Sequence, residues 1–296
     1  MIKIKQSKEY LLGYLFILPA LIFFIAFVFY PTINSFILSL FDWDLLSDRV
    51  FVGFENYRHI FEDDRIAKIA LNTVMLATMS IMLKLGLGTL LAYMVFKIKN
   101  KITKFILEFV IFLPVVLPMS VISMVFLMLF NTDIGAINGI LFQIGLPKIA
   151  WLTSGFLPLV SVLIIDVWKG VGFFFIVSLV AIREVPQNLL EAAELDGANE
   201  FRKFVSIIVP VIRATTMFLV INAIITSLQI FDPVYMLMRD GGPGDAATTI
   251  SYYIWNTGLY NRDTGYGSAL AVVLFVVIMT ITIIEIKIRE RRMADV

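Results

Sequence analysis

Three charged residues stand out because they lie inside long apolar stretches. Asp166 and Lys169 are three residues apart, so on a helix they share one face. Lys84 lies deep in a separate apolar stretch. A charge at the middle of a membrane costs at least about 2.5–3.5 kcal/mol, so such residues should face a bundle interior or a wet cavity. An acid and two amines in that setting could relay protons or ions, or could contact a polar solute.

Most other chemistry is missing from the sequence. The chain has no cysteine and one histidine, His59, which excludes thiolate metal sites and an H-E-x-x-H zinc site. It has no G-x-x-x-x-G-K-[ST] phosphate loop and no G-x-S-x-G elbow. We interpret His59 as a surface residue, and Glu62, Asp63 and Asp64 as solvated charge in a polar loop. The sequence predicts no catalytic residue, no metal site and no cofactor bound by this chain.

The composition indicates a membrane protein. Of 296 residues, 59% are hydrophobic and 16% are charged, whereas soluble domains have about 45–50% and about 25%. One globular core cannot bury this excess, so lipid must face much of it. The net charge of +1 argues against nucleic-acid binding, which requires a basic surplus.

Six stretches are long enough to span a bilayer, which takes roughly 20 apolar helical residues. They are residues 11–31, 70–96, 105–130, 157–182, 205–231 and 267–286. We interpret the first as a retained anchor, because it is longer than a signal-peptide core of about 7–15 residues. Proline and glycine interrupt three of the others, either to line a pathway or because both are common in membrane helices. The interrupting residues are Pro114, Pro118, Gly170, Gly172 and Pro210.

Basic residues predict the orientation. If the N-terminus is cytoplasmic, the inner segments carry fourteen Lys and Arg residues and the outer segments carry seven. The short segment from Lys97 to Lys104 alone holds four lysines. Short cytoplasmic loops carry such an excess. The predicted fold class is therefore all-α, a polytopic membrane protein with six transmembrane helices and both termini in the cytoplasm.

The most informative loop runs from Pro186 to Pro210, on the predicted cytoplasmic side, and we call it the EAA segment. Apolar residues recur in it at helical spacing. Asn188 can cap the start of this helix, and Gly197 can stop it in the left-handed conformation. A second short helix from about Asn199 would lead into the fifth span. The small alanines of the EAA segment would let a partner approach closely, and its glutamates would offer a target for arginine. A solvated loop that binds nothing has the same pattern.

The spacing in this segment resembles the EAA loop of bacterial ABC importer permeases, whose pattern is E-A-A, three residues, Gly, nine residues, then I-x-L-P. Val209 stands where leucine is usual. In that family the loop is a coupling helix that docks on a cytoplasmic ATPase subunit. The resemblance implies the ABC type I importer permease fold, with ATP and Mg used by the partner ATPase. It also implies ATPase-coupling roles for Glu191, Ala192, Ala193, Asp196, Gly197, Ile207 and Pro210.

Three further stretches are similar to carbohydrate-class permeases. Residues 231–255 resemble the outer loop after span five, with Phe-Asp, a tyrosine, a G-G-P triplet and a following threonine. A threonine that often precedes the triplet is replaced around Arg239-Asp240. Residues 51–61 resemble the stretch before span two, and Trp168-Lys169 is also similar. The resemblance implies a maltose-permease-like subunit, related to maltose, lactose and glycerol-3-phosphate permeases.

The expected function is therefore that of a permease subunit of an ATP-driven importer for a sugar or polyol. Its expected partners are a second homologous permease, two ABC ATPase subunits, an extracytoplasmic solute-binding protein on outer loops 32–69 and 232–266, and the bilayer of the cytoplasmic (inner) membrane. Sugar recognition favours aromatic faces and fixed hydrogen-bonding groups, although the same residues can serve helix packing. The candidate pathway residues are Asp166, Trp168, Lys169, Asn222, Ser227 and Gln229.

Two other functions stay open at this stage. An ion-gradient-driven secondary transporter would use Lys84, Asp166 and Lys169 as a relay, and a membrane-embedded enzyme would need catalytic groups that the sequence lacks. The predicted organisation has three parts: residues 1–69 form the anchor helix and an outer loop, and residues 70–286 form the transmembrane domain with its coupling loop at 183–204. Residues 287–296 form a cytoplasmic tail.

Overall fold

A computed structural model of the chain describes residues 2–238 and 241–294, and side chains within 13–238 and 241–288. The Arg239-Asp240 pair lies outside this description, as do most side chains of the predicted tail 287–296 and the side chains of the N-terminal lysines used for the orientation. The chain forms two compact units. One comprises Met1–Asp63 and Ile254–Phe275, and the other comprises Asp64–Tyr253 and Val276–Val296.

The first unit begins with a long helix, α1. It is α-helical over Ile2–Phe24, π-helical over Ile25–Phe29 and α-helical again over Tyr30–Leu38. The predicted end of the first span at residue 31 is therefore wrong. Pro31 directly follows the π-helical turn, in which the Tyr30 N–H donates to the Ile25 carbonyl five residues back.

A short hairpin and a short helix follow α1. Strands β1 (Phe41–Asp42) and β2 (Val50–Phe51) pair antiparallel, with Phe41 opposite Phe51. Helix α2 covers Glu55–Glu62. The all-α prediction thus holds apart from this two-stranded ladder.

The remaining helices follow in chain order. They are α3 (Ile66–Phe96), α4 (Lys101–Val116), α5 (Met119–Leu129), α6 (Ala136–Gln143), α7 (Leu157–Arg183), α8 (Gln187–Leu195), α9 (Glu200–Lys203), α10 (Arg213–Leu228), α11 (Asp232–Leu237), α12 (Ile250–Trp255) and α13 (Thr264–Ala294). A π-helical turn, Phe204–Ile208, and a short α-helical turn, Val209–Val211, follow α9. A 3₁₀ turn covers Pro243–Asp245, and a π-helical turn, Asn256–Tyr260, follows α12.

Five helical stretches in the described part of the chain are long and apolar enough to cross a membrane, and α4 with α5 makes a sixth if that bent pair is one span. The five are Gly13–Leu38, Ile66–Phe96, Leu157–Arg183, Arg213–Leu237 and Thr264–Ile288. The pair α4–α5 bends by 98°. Leu117, before Pro118, is extended with ψ 142°, because a residue that precedes proline avoids the helical conformation. The predicted interruption of the third span is confirmed at Pro118, whereas Pro114 lies inside α4.

The predicted start of the fifth span at residue 205 is wrong. Ile212 leaves the helical conformation, with φ −84° and ψ 14°, so α10 begins afresh at Arg213. The apolar residues just before it belong to two separate turns, and Ile208 and Ile212 are buried in a core cluster with α3 and α7. Hydropathy alone does not distinguish such a packed turn from the beginning of a span.

The core of the second unit lies between α3 and α7. Ala92 on α3 and Phe175, Leu179 and Ile182 on α7 are fully buried in one cluster. Gly88 lets the two helices approach closely, because a Cβ there would lie 2.5 Å from Phe174 Cβ. Small residues at a membrane-helix interface permit this kind of backbone contact.

Candidate functional site

The EAA segment contains a helix that ends in a defined stop. Gly197 has φ +75°. Its N–H donates to the Glu194 carbonyl at 3.0 Å, and the Ala198 N–H donates to the Ala193 carbonyl at 2.9 Å. This pair of bonds is the Schellman motif, which closes a helix and requires a left-handed residue at this position. The predicted stop at Gly197 is therefore confirmed.

The second short helix is also confirmed, but the predicted cap of the first is wrong. The Asn199 side chain accepts a hydrogen bond from the Arg202 N–H at 2.9 Å and starts α9. At the other end, Pro186 occupies the N-cap position of α8. Asn188 lies inside the helix, where its side chain accepts only from the adjacent Leu189 N–H. Pro186 has a non-helical ψ of 125° and offers no side-chain acceptor, so α8 begins without a side-chain cap.

Two large apolar side chains that sequence reasoning missed flank the Gly197 turn. Leu195 is 90% exposed and Phe201 is 75% exposed. Their signal in the sequence was an apolar residue on each side of a helix-stopping glycine. The predicted coupling residues differ in exposure: Glu191, Ala192, Asp196, Gly197 and Pro210 are exposed, while Ala193 and Ile207 are partly buried. The segment thus presents carboxylates, small residues and two apolar side chains on one short loop.

An ionic network fixes α9 to the end of α3. Glu200 accepts a hydrogen bond from the Tyr93 hydroxyl at 2.6 Å and pairs with Lys97 at 2.8 Å. Lys203 bridges Glu200 at 3.3 Å and Glu194 at 3.1 Å. Hydrogen bonds from Lys97 and Tyr93 lower the pKa of Glu200 to about 2, so its carboxylate stays charged near neutral pH. The Tyr93 ring also stacks on Phe204, with centroids 5.1 Å apart.

A second cluster lies halfway along α3 and α7. Lys84 Nζ is 2.7 Å from Asp166 Oδ2, and their side chains are only 4% and 8% exposed. Ser80 donates to the same carboxylate oxygen at 2.5 Å and lies 3.1 Å from the Ser227 hydroxyl. Gly170 makes room for the lysine, because a Cβ there would lie 2.5 Å from Lys84 Cε.

A cavity of about 220 Å³ adjoins this pair, and we call it the midspan cavity. Three of the six predicted pathway residues line it, namely Asp166, Lys169 and Asn222, together with Lys84 and Thr226. Lys169 Nζ donates to the Val115 carbonyl at 3.4 Å.

The other three pathway residues do not line this cavity. Trp168 is 44% exposed and meets Phe126 edge-on at 5.5 Å. Ser227 is buried against Ser80. Gln229 is exposed at the end of α10.

A third cluster joins the start of α3 to residues 241–249, which we call the GGPG loop. Arg65 forms a two-pronged ion pair with Asp245, at 2.9 Å and 2.7 Å. Lys68 donates to the Gly244 carbonyl at 2.5 Å, and Asn72 donates to the Asp245 carbonyl at 2.7 Å. Burial raises the pKa of Asp245, but hydrogen bonds from Arg65 and Thr248 more than offset this and hold it below its ordinary value of 3.8.

The first unit carries the remaining polar residues singled out in the sequence. His59 is exposed and its ring lies 4.5 Å from that of Tyr266. The Tyr266 hydroxyl donates to Asp63 at 2.9 Å, and Glu62 pairs with Arg58 at 2.8 Å. Within the described residues, no group of three or more His, Asp or Glu side chains is placed to hold a metal ion.

These features define a polytopic helical membrane protein with an exposed helix–stop–helix loop between two of its spans. Residues 84–295 match the family described as the binding-protein-dependent transport system inner membrane component. Because the match covers most of the chain, the protein belongs to this family, and the predicted family is confirmed.

Individual relatives and a solved structure agree with this assignment. The chain is 33% identical over 283 residues to the sulfoquinovosyl glycerol transport system permease SmoG of Agrobacterium fabrum, covering 94% of this chain and 90% of that protein. It is 31% identical over 289 residues to the trehalose/maltose permease MalF of Thermococcus litoralis, covering 97% and 96%. A chain of the bacterial alginate ABC transporter, solved with its pentasaccharide-bound periplasmic protein, has the same fold with a TM-score of 0.83. It shares 24% identity and covers 95% of this chain and 94% of that one.

Proposed function

We propose that the chain is the permease subunit of an ATP-driven ABC importer that carries a sugar or related polyol across the cytoplasmic membrane, with both termini in the cytoplasm. The observation that carries this proposal is the EAA segment, in which a glycine with φ +75° closes one helix and exposes Leu195 and Phe201 beside it. Exposed apolar side chains ringed by polar groups can become the buried anchors of an interface when a partner docks. The sugar class rests on the named substrates of the relatives at 31–33% identity.

The proposed partners follow from this role. Two ATPase subunits would receive the EAA segments of this chain and of a second, homologous permease. The ATPase subunits would bind ATP and Mg²⁺ and hydrolyse the ATP, because this chain has no phosphate-loop motif. A solute-binding protein outside the membrane would deliver the sugar to loops 32–69 and 232–266. Seven residues of the EAA segment would couple the ATPase subunits to the membrane helices. They are Glu191, Ala192, Ala193, Asp196, Gly197, Ile207 and Pro210.

We place the solute pathway at the midspan cavity. Lys169 and Asn222 line it with polar groups, and the charge of Asp166 is matched by Lys84 at 2.7 Å. Trp168, Ser227 and Gln229 lie outside the cavity, and we keep them as pathway residues for other stages of the transport cycle. Rocking of helix bundles around such a site would alternate its access.

The first test is co-purification from the native membrane followed by uptake in vesicles. The tagged chain should co-purify with an ATPase and a second permease. Solute uptake into the vesicles should require ATP on the side of the membrane that was cytoplasmic in the cell. Uptake driven by an ion gradient without ATP would instead support the secondary-transporter reading and overturn the proposal.

The second test changes the EAA segment. Gly197→Val places a β-branched residue at φ +75°, where L residues are strained, and Glu191→Lys reverses an exposed charge. We expect both variants to insert normally but to lose ATPase association and uptake. Gly145→Val is the matched control, because Gly145 has φ +79° and open space around it in another loop. Normal uptake in both EAA variants would refute a coupling role.

A further inference from the structure

Helix α3 touches each of the three clusters described above. Arg65, Lys68 and Asn72 hold the GGPG loop at its start. Lys84, near its middle, pairs with Asp166 beside the midspan cavity. Tyr93 and Lys97 at its end hold Glu200, which belongs to the EAA segment. The helix has 31 residues, so at 1.5 Å per residue it is about 46 Å long.

The packing of α3 makes it suitable for carrying a displacement. Buried residues are distributed along its whole length, from Ile69 to Val95. Gly88 brings its backbone against Phe174 on α7. A close-packed interface has few voids in which a shift can be absorbed, so it transmits strain.

The EAA segment is less directly joined to the span that follows it in sequence. The helical path breaks at Ile212 before α10 begins. Toward α3, by contrast, Glu200 has a tyrosine hydroxyl at 2.6 Å and a lysine at 2.8 Å, and Phe204 stacks on the Tyr93 ring at 5.1 Å. The side-chain contacts of α9 therefore favour transmission through α3.

We infer that Glu200 is a positioning residue that transmits movement of the EAA segment to α3, and that α3 carries it past the midspan cavity to the GGPG loop. This inference rests on the proposed function, since it assumes that an ATPase moves the EAA segment. Coupling between two sites is reciprocal. Binding of a solute-loaded binding protein outside should therefore act back on the position of the EAA segment through the same helix, and stimulated ATP hydrolysis is the measurement that reports it.

The test uses the complex recovered by co-purification, reconstituted in proteoliposomes. Glu200→Gln removes the charge, and Tyr93→Phe removes only the hydroxyl that Glu200 accepts from. ATP hydrolysis and solute uptake are measured together, with and without solute-loaded binding protein. Asp133→Asn is the control, because that carboxylate is 87% exposed and its nearest ion-pair partner, Lys148, is 4.0 Å away.

We expect both variants to assemble with the ATPase and to keep its unstimulated activity. Stimulation by the loaded binding protein, and the solute moved per ATP, should fall roughly three- to tenfold, as for coupling changes of ordinary size. A purely structural residue would lower both activities together and leave their ratio unchanged.

Three results would overturn the inference. They are an unchanged ratio in both variants, a loss of ATPase association that makes Glu200 a docking residue, and an equal loss in Asp133→Asn. The wild-type complex distinguishes failure of this inference from failure of the proposed function. If the wild type itself shows no ATP-dependent uptake, the proposed function is wrong, whereas a working wild type with fully coupled variants rejects only the role of Glu200 and α3.

Discussion

Replacing Lys84 by methionine removes the ammonium that lies 2.7 Å from Asp166 Oδ2 and leaves the carboxylate buried beside the Ser80 hydroxyl. Solvent screens this pair little, because its side chains are only 4% and 8% exposed. Breaking a buried pair by removing one partner costs about 3–5 kcal/mol. A lone charge at mid-membrane costs about 2.5–3.5 kcal/mol on insertion scales. Both figures lead us to expect a loss of about 3 kcal/mol for Lys84→Met, and a similar loss for Asp166→Leu.

The double variant Lys84→Met/Asp166→Leu should be more stable than either single variant. It leaves no uncompensated charge, and apolar replacements of buried pairs are often neutral or stabilising. Ser80 loses its carboxylate acceptor but keeps the Ser227 hydroxyl at 3.1 Å. We expect a net loss below about 1.5 kcal/mol for the double variant, because one weakened hydrogen bond costs about 1 kcal/mol.

The assay is equilibrium unfolding of the purified chain in mixed micelles with increasing SDS, followed by tryptophan fluorescence. Lys148→Met is the matched control, because Lys148 is 45% exposed and 4.0 Å from Asp133. Removing such a surface pair should change the stability by less than about 1 kcal/mol. The reasoning fails if Lys84→Met is no worse than Lys148→Met. It also fails if the two single losses simply add in the double variant, since independent sites add.

The remaining predictions concern the two ends of α3 and its packing. Gly88→Ala should cost about 1–3 kcal/mol in the same unfolding assay, because its Cβ would lie 2.5 Å from that of Phe174. Gly86→Ala, with nothing within 4 Å, should be neutral or stabilising, and equal effects of the two would contradict the packing. Arg65→Lys should expose the GGPG loop to limited proteolysis, because lysine cannot form the two-pronged pair with Asp245; an unchanged cleavage rate would count against the clamp. Since the pKa of Asp245 is lowered, its pairing is complete above its ordinary pKa of 3.8 and is lost as pH falls through the lower folded value. The rate at which an acid-tolerant protease cleaves the wild-type GGPG loop should therefore be the same at pH 7 and pH 5, when each rate is normalised to that of an unfolded substrate at the same pH.

Local chemistry determines which parts of the EAA segment could be predicted. The stop at Gly197 and the cap at Asn199 depend on residues within one helical turn, and both were found from the sequence. The cap at Asn188 was wrong, because the helix begins at Gln187, with Pro186 at the N-cap position, and so includes Asn188. The exposure of Leu195 is a tertiary property, because its position beside a helix-stopping glycine does not determine whether another element covers it.

Long-range packing explains the errors in the spans and the incomplete site. The fifth span was started too early because Ile208 is as apolar as a lipid-facing residue, yet it is buried against α3 and α7. Asp166 was identified as an unusual buried charge, and so was Lys84. The pairing of Asp166 with Lys84 depends on two helices that lie far apart in sequence. Spacing within one helix could suggest only that Asp166 and Lys169 share a face.

The bend in the third predicted span leaves a free carbonyl that accepts a hydrogen bond from Lys169 in the fourth span. Pro118 ends α4 at Val116, and the last carbonyls of a helix have no partner within it. One of them, the Val115 carbonyl, accepts a hydrogen bond from Lys169 Nζ at 3.4 Å. Each group therefore reduces the cost of placing the other away from water, and both face the midspan cavity. Among the described charged residues that line the cavity, Lys84 pairs with Asp166, whereas Lys169 contacts a neutral carbonyl. If the cavity is the solute pathway, as we propose, a polar solute can replace that carbonyl without separating an ion pair.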